Sequence, residues 1–111
     1  MSDRARAYDA HHSLDALGDP SRRRLVELLA GGPRPVGEIA AEMPIGRPAV
    51  SKHLKVLESA GLVEHHSHGT RNLYALAPEG LVPLQQWLVG QWDSVLHAFA
   101  RYVDEHAGDP P

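Results

Sequence analysis

Apolar residues recur along most of this chain at three- and four-residue steps, with glycine and proline as punctuation. Ala10, Leu14 and Leu17 share a helical face with Tyr8 beside it, predicting a short first helix from Tyr8 to Leu17 that Gly18 stops. Asp19-Pro20 restarts the chain, since Asp is a good N-cap and Pro fits a first helical position. The second helix runs to about Ala30, with Leu25, Val26, Leu28 and Leu29 inward. Gly31-Gly32-Pro33-Arg34-Pro35 reads as a turn. Val36 to Met43 forms a third helix, with Val36, Ile39 and Ala40 inward. Pro44-Ile45-Gly46 then turns the chain into a fourth helix, Arg47–Ala60, which Gly61 ends.

Beyond Gly61 the pattern shortens. Residues 62–67 and 71–76 flank a His68-Gly69-Thr70 tip and read as a β-hairpin. After Ala77-Pro78, a last helix spans about Glu79 to His106. Leu81, Leu84, Leu88, Trp92, Val95, Phe99, Tyr102 and Val103 recur along it. Such a helix is roughly 40 Å long, more than the core of so small a domain covers. Trp87, Trp92, Phe99 and Tyr102 add too much aromatic area to leave in water. A homodimer built on this helix, helped by the first, accounts for it, with Tyr8, Leu14, Leu84, Leu88, Trp92, Val95, Phe99 and Tyr102 at the interface. The competing arrangement is a monomer whose last helix folds over the core.

The expected architecture is therefore mainly α with a small β-hairpin: about five helices plus a wing, dimeric through its terminal helices. Residues 1–7 are expected to fray, 8–106 to form one winged helix-turn-helix domain, and 107–111 to be a disordered tail. Within the domain, 36–60 is the helix-turn-helix, 62–76 the wing and 79–106 the dimerisation helix. A chain of 111 residues suits one modest core. Hydrophobic content of 42% and charged content of 23% are ordinary for a soluble globular protein. With no cysteine, disulfides and thiolate metal sites are excluded. No apolar run reaches the roughly 20 residues of a membrane span and no signal peptide is visible, so a cytoplasmic protein is expected.

Charge distribution changes the picture more than its total. The net charge is -3, yet residues 20–75 carry eight Lys/Arg against five Asp/Glu. Only this central segment is positive, and a local basic surface is what phosphate binding needs. In the fourth helix Val50, Leu54 and Leu57 make one apolar stripe. Pro48, Ser51, Lys52 and Lys55 fall on the opposite face, with Arg47 at its edge. A helix fits a DNA major groove, where Arg and Lys pair with guanine or phosphate and Ser reaches either. An ordinary solvated amphipathic helix is the competing reading. Arg22, Arg23 and Arg24 sit against the positive end of the second helix's dipole, which favours a partner anion for at least one, Arg22 being the candidate. Arg71 and His68, near the wing tip, are placed to touch the DNA backbone or minor groove; a hairpin that only closes the core is the alternative.

Two stretches resemble a known family. Leu17-Gly18-Asp19-Pro20-Ser21-Arg22-Arg23-Arg24-Leu25 is similar to the opening signature of the ArsR/SmtB-type bacterial repressors. Arg47-Pro48-Ala49-Val50-Ser51-Lys52-His53-Leu54-Lys55-Val56-Leu57-Glu58-Ser59-Ala60-Gly61-Leu62-Val63 resembles that family's recognition helix. The Gly69-to-Tyr74 wing and long last helix follow in the same order. The resemblance spans roughly residues 8–105. It implies a dimeric winged helix-turn-helix repressor on an inverted-repeat operator in double-stranded DNA, with contacts by Arg47, Pro48, Ser51, Lys52, His53 and Lys55.

The chain departs from the family in sensing. Where the family's arsenic site has cysteines, the third helix reads Glu38-Ile39-Ala40-Ala41-Glu42. Asp93, His97, Asp104 and His106 do not reproduce the spacing of the zinc site in the last helix. The sequence resembles a cysteine-free subgroup, so no cofactor or metal residue is expected and the inducer is unknown. The eight histidines keep a metal-responsive regulator of the same fold as an alternative, yet a stable site takes three or four ligands with support behind them. His65, His66 and His68 are better suited to phosphate, with binding strengthening as pH falls through about 6.5. A winged-helix module that binds protein and never DNA is a third reading. An enzyme is not expected, since nothing resembles a nucleophile–base pair or a phosphate-cradling loop.

Overall fold

The structure, a computed structural model, describes residues 3–108, with side chains in the first helix from Ala10 onward. The order is α1 (Asp3–Ala16), α2 (Pro20–Leu29), β1 (Arg34–Pro35), α3 (Val36–Ala41), α4 (Arg47–Ser59), β2 (Val63–His68), β3 (Arg71–Leu76) and α5 (Pro78–His106). It is a mainly helical winged helix-turn-helix. α1 starts ahead of Tyr8 because Arg4, Ala5 and Arg6 are good helix formers that leave no apolar mark. Met1, Ser2, the tail beyond Gly108 and the Tyr8 side chain lie outside what is described.

Punctuation sets the helix ends. The Asp19 carboxylate accepts from the Ser21 and Arg22 backbone N–H groups at 2.8 and 3.2 Å, capping α2, while Pro20 sits in its first turn. At the end of α4, Gly61 takes φ +80°; its N–H reaches the Glu58 carbonyl and the Leu62 N–H reaches Leu57, closing a Schellman turn. The same glycine fixes where α5 begins. A Cβ added to Gly80 would lie 1.5 Å from the Gly61 carbonyl oxygen, so the first turn of α5 rests directly on the backbone leaving α4.

The core draws on every helix and on both strands of the wing. Leu25 and Leu29 of α2, Ile39 of α3, Val50, Leu54 and Leu57 of α4, Leu62, Val63 of β2 and Leu84 of α5 form one buried cluster. Each such side chain contributes about 1.5–3 kcal/mol by leaving water. One element differs from the sequence reading. Arg34-Pro35, expected within a turn, is a strand, pairing antiparallel with Tyr74 and Leu73 so that the sheet runs β1-β3-β2. Proline lacks the donor for a central strand, and here it is confined to the sheet edge.

α5 leaves the body. Leu81 and Leu84 pack on the core, but Leu88, Val89, Trp92, Val95, Leu96, Phe99, Tyr102 and Val103 are exposed, Trp92 and Phe99 both by 64%. The radius of gyration is 18.9 Å, against about 13 Å for a compact domain of this size. The monomer with its last helix folded over the core is therefore not the arrangement seen. Of the expected interface residues, Leu84 is spent in the protomer's own core and Leu14 packs against that core. Trp87 is half-buried, meeting His11 edge-on at 5.9 Å.

Candidate nucleic-acid interface

α4 offers its two faces as different chemistries. Val50, Leu54 and Leu57 are each 0% exposed. Arg47, Pro48, Lys52 and Lys55 face solvent, and Ser51 is half-buried beside them. The helix opens at Gly46 with no side-chain cap and no acidic residue in its first turn. Its unmatched N–H groups and positive dipole end therefore add to Arg47 rather than being neutralised.

Carboxylates take up several of the arginines around this face. Arg24 pairs with Glu27 at 3.3 Å, Arg34 with Glu42 at 2.5 Å and Arg71 with Glu38 at 3.3 Å. Among the described residues no carboxylate pairs with Arg47, Lys52 or Lys55. The unneutralised positive charge of the helix-turn-helix is thus concentrated on one helix face.

Arg22 and His53 sit elsewhere than a free DNA-contact role supposes. Arg22 Nε donates to the Ala16 carbonyl at 2.5 Å, and its Nη1 lies 3.4 Å from His53 Nδ1, which must accept because guanidinium only donates. Arg23 Nη1 donates to the Leu17 carbonyl at 2.9 Å. The two arginines therefore cover the C-terminal carbonyls of α1. Charge that opposes the dipole of α2 complements that of α1, a relation invisible without knowing that the two helix ends meet. Nearby, the backbone N–H of Arg22 holds the Asp19 carboxyl below its ordinary range; burial opposes this, and the Ser21 N–H and the Arg22 charge add to the lowering.

The wing is a two-residue hairpin. Gly69 takes φ +67° at its tip, and His68 pairs across the strands with Arg71. Arg71 comes near the start of α4: with Arg47, Glu38 and Thr70 it lines a hollow of about 460 Å³ between α3, α4 and β3. Its exposed pair with Glu38 is a weak one that phosphate can replace. Of the wing histidines, His65 Nδ1 contacts Glu58 on α4 and tilts against Tyr74 at 5.5 Å, and His66 lies 3.2 Å from Glu64. These carboxylates were the missed partners of residues read as phosphate ligands. Only His68 lies at the tip beside Arg71. Among the described residues, no three His, Asp or Glu side chains gather as a metal ion would need. No described helix is long and apolar enough to cross a membrane.

A family model described as "Helix-turn-helix domain" matches residues 17–66, which carry α2, α3, α4 and the start of the wing. The chain is 47% identical over 94 residues to the HTH-type transcriptional regulator Rv2034 of Mycobacterium tuberculosis, covering 85% of this chain and 88% of that one. To the transcriptional repressor SdpR of Bacillus subtilis it is 34% identical over 74 residues, 67% of this chain and 82% of the relative. Among solved structures it resembles the homodimeric winged helix-turn-helix DNA-binding domain Mb0332 from Mycobacterium bovis, a possible ArsR-family regulator. That match has a TM-score of 0.64 at 31% identity and covers 88% of this chain and 91% of the other. The chain belongs to the ArsR/SmtB-type winged helix-turn-helix transcriptional regulators. It is a DNA-binding regulator of a family of regulators and not of enzymes.

Proposed function

We propose that this protein is a repressor that binds an inverted-repeat operator as a homodimer, in the cytoplasm with its DNA. The observation that carries the reading is α4, whose apolar stripe is wholly buried while its cations stand unpaired in solvent. Arg47, Pro48, Ser51 and Lys52 reach base edges and phosphates in the major groove. Lys55 adds charge further along, and His68 and Arg71 bring the wing to the flanking backbone. His53 and Arg22 act behind this surface, as the pair that seats α4 against the ends of α1 and α2.

The dimer reading rests on α5. Leu88, Trp92, Val95, Phe99 and Tyr102 follow one another by alternating steps of four and three, the spacing of a helix–helix seam. Val89, Leu96 and Val103 widen it, and all eight are exposed in the single chain. The similar Mycobacterium bovis domain is a homodimer, and SdpR is named a repressor.

Footprinting on the promoter of the protein's own gene tests the reading. Two protected half-sites should appear, centred about one helical turn or a multiple apart. Log affinity should fall linearly with log salt, and Lys52→Ala should reduce that slope by about one. Full affinity with an unchanged slope in both Lys52→Ala and Arg47→Ala would overturn the assignment of α4.

A further inference from the structure

A cleft of about 500 Å³ opens between the C-terminal half of α1 and the outer side of α4. The volume lies within the range of small-molecule sites, about 300–1,000 Å³. Ala16 and Val56 give it apolar lining, and Arg22, Lys52 and Lys55 bring three cations against the single carboxylate of Asp15. Its walls are tied together. Ser13 Oγ donates to the Ala60 carbonyl at 3.5 Å, joining α1 to the end of α4, and Arg22 holds the Ala16 carbonyl on the other side.

Apolar lining with an excess of positive charge selects an amphipathic anion. We propose that this cleft binds a small carboxylate carried on an apolar ring or chain, and that its occupancy opposes DNA binding. The apolar body lies along Val56 and Ala16 while the carboxylate meets Lys52, Lys55 and Arg22. The second half rests on the DNA reading above, because Lys52 and Lys55 belong both to the cleft and to the exposed face of α4. An anion there neutralises the cations that the phosphate backbone needs. It also touches Arg22, whose side chain connects α1 to His53 in the middle of α4.

The test titrates the full chain with 2-naphthoate and follows its amide proton–nitrogen spectrum. The expected result is saturable shifts at Ala16, Arg22 and Val56 by about 1 mM, with the amides of Trp92 and Phe99 unmoved. Affinity for the promoter fragment should fall about tenfold at saturation. Val56→Trp, which fills the cleft from a partly exposed helical position without adding charge, should abolish the shifts at Ala16 and Arg22 while promoter binding without naphthoate persists. Asp15→Asn should tighten naphthoate. Absence of shifts in the cleft, or shifts confined to α5, would overturn the site. Cleft shifts with unaltered promoter affinity would overturn the antagonism. Failure to bind the promoter without naphthoate would count against the DNA reading alone, and the amide shifts would still decide the cleft.

Discussion

α4 and the outer half of α5 are both amphipathic helices, and the fold treats them in opposite ways. In α4 the apolar stripe has vanished into the core and the polar face is left bare. In α5, from Leu88 onward, it is the apolar face that stands in water. The difference lies in what each helix can reach. α4 is surrounded by α2, α3 and β2, whereas α5 outruns the buried core after Leu84 and, from Leu88 onward, carries its large apolar side chains exposed. A helix whose oily side is satisfied advertises its charges; one whose oily side is not advertises a need for a second chain.

The sharpest way to break the comparison is through the cores. Leu54→Ala should cost about 3 kcal/mol of stability, because the stripe of α4 has no slack and the cavity cannot collapse fully. Urea unfolding monitored by circular dichroism checks this, and a loss below about 0.5 kcal/mol, the range of surface substitutions, would contradict the packing. The corresponding change in α5, Trp92→Ala with Phe99→Ala, should act on association instead. Each aromatic anchor at a buried interface is worth about 2 kcal/mol, so losing both should weaken the dimer by roughly a thousandfold. Sedimentation equilibrium reads that weakening, and an unaltered dimer constant would remove α5 from the interface.

The smallest effect concerns α2, one of the helices packed against α4. Asp19 is lowered in the folded state, chiefly by the Arg22 N–H, so it stabilises above its unfolded pKa of about 4 and loses that contribution as pH falls through its folded value. Asp19→Ala should lower Tm at pH 7, with the gap to the parent protein narrowing below the carboxylate range. Asp19→Asn should recover most of the loss, since Asn also caps. A gap independent of pH would show that the charge has no part in it.

What could be read from the chain alone follows the same division between local and distant causes. The bounds of α4 were legible because Gly46, Pro48 and Gly61 mark them and Val50, Leu54 and Leu57 keep helical step. The bare seam of α5 was legible from length and aromatic spacing, although Leu84 could not be assigned to core rather than interface without knowing where the helix leaves the body. β1 was not legible: two residues, one a proline, become a strand only because Tyr74 and Leu73 arrive beside them. Nor was the task of Arg22 and Arg23, which depends on the end of α1 lying against the start of α2. The carboxylate partners of His65 and Arg71 come from other elements and were equally hidden.

The contact of Gly61 with Gly80 carries a geometric consequence. With backbone resting on backbone, the angle at which α5 springs from the end of α4 is set by atoms that no side chain cushions. In a symmetric pair clasped along α5, that joint acts as the pivot of a caliper, and its setting fixes the span between the two reading heads. A single methyl group at position 80 would therefore be felt far away, as a change in which spacing of half-sites the caliper fits.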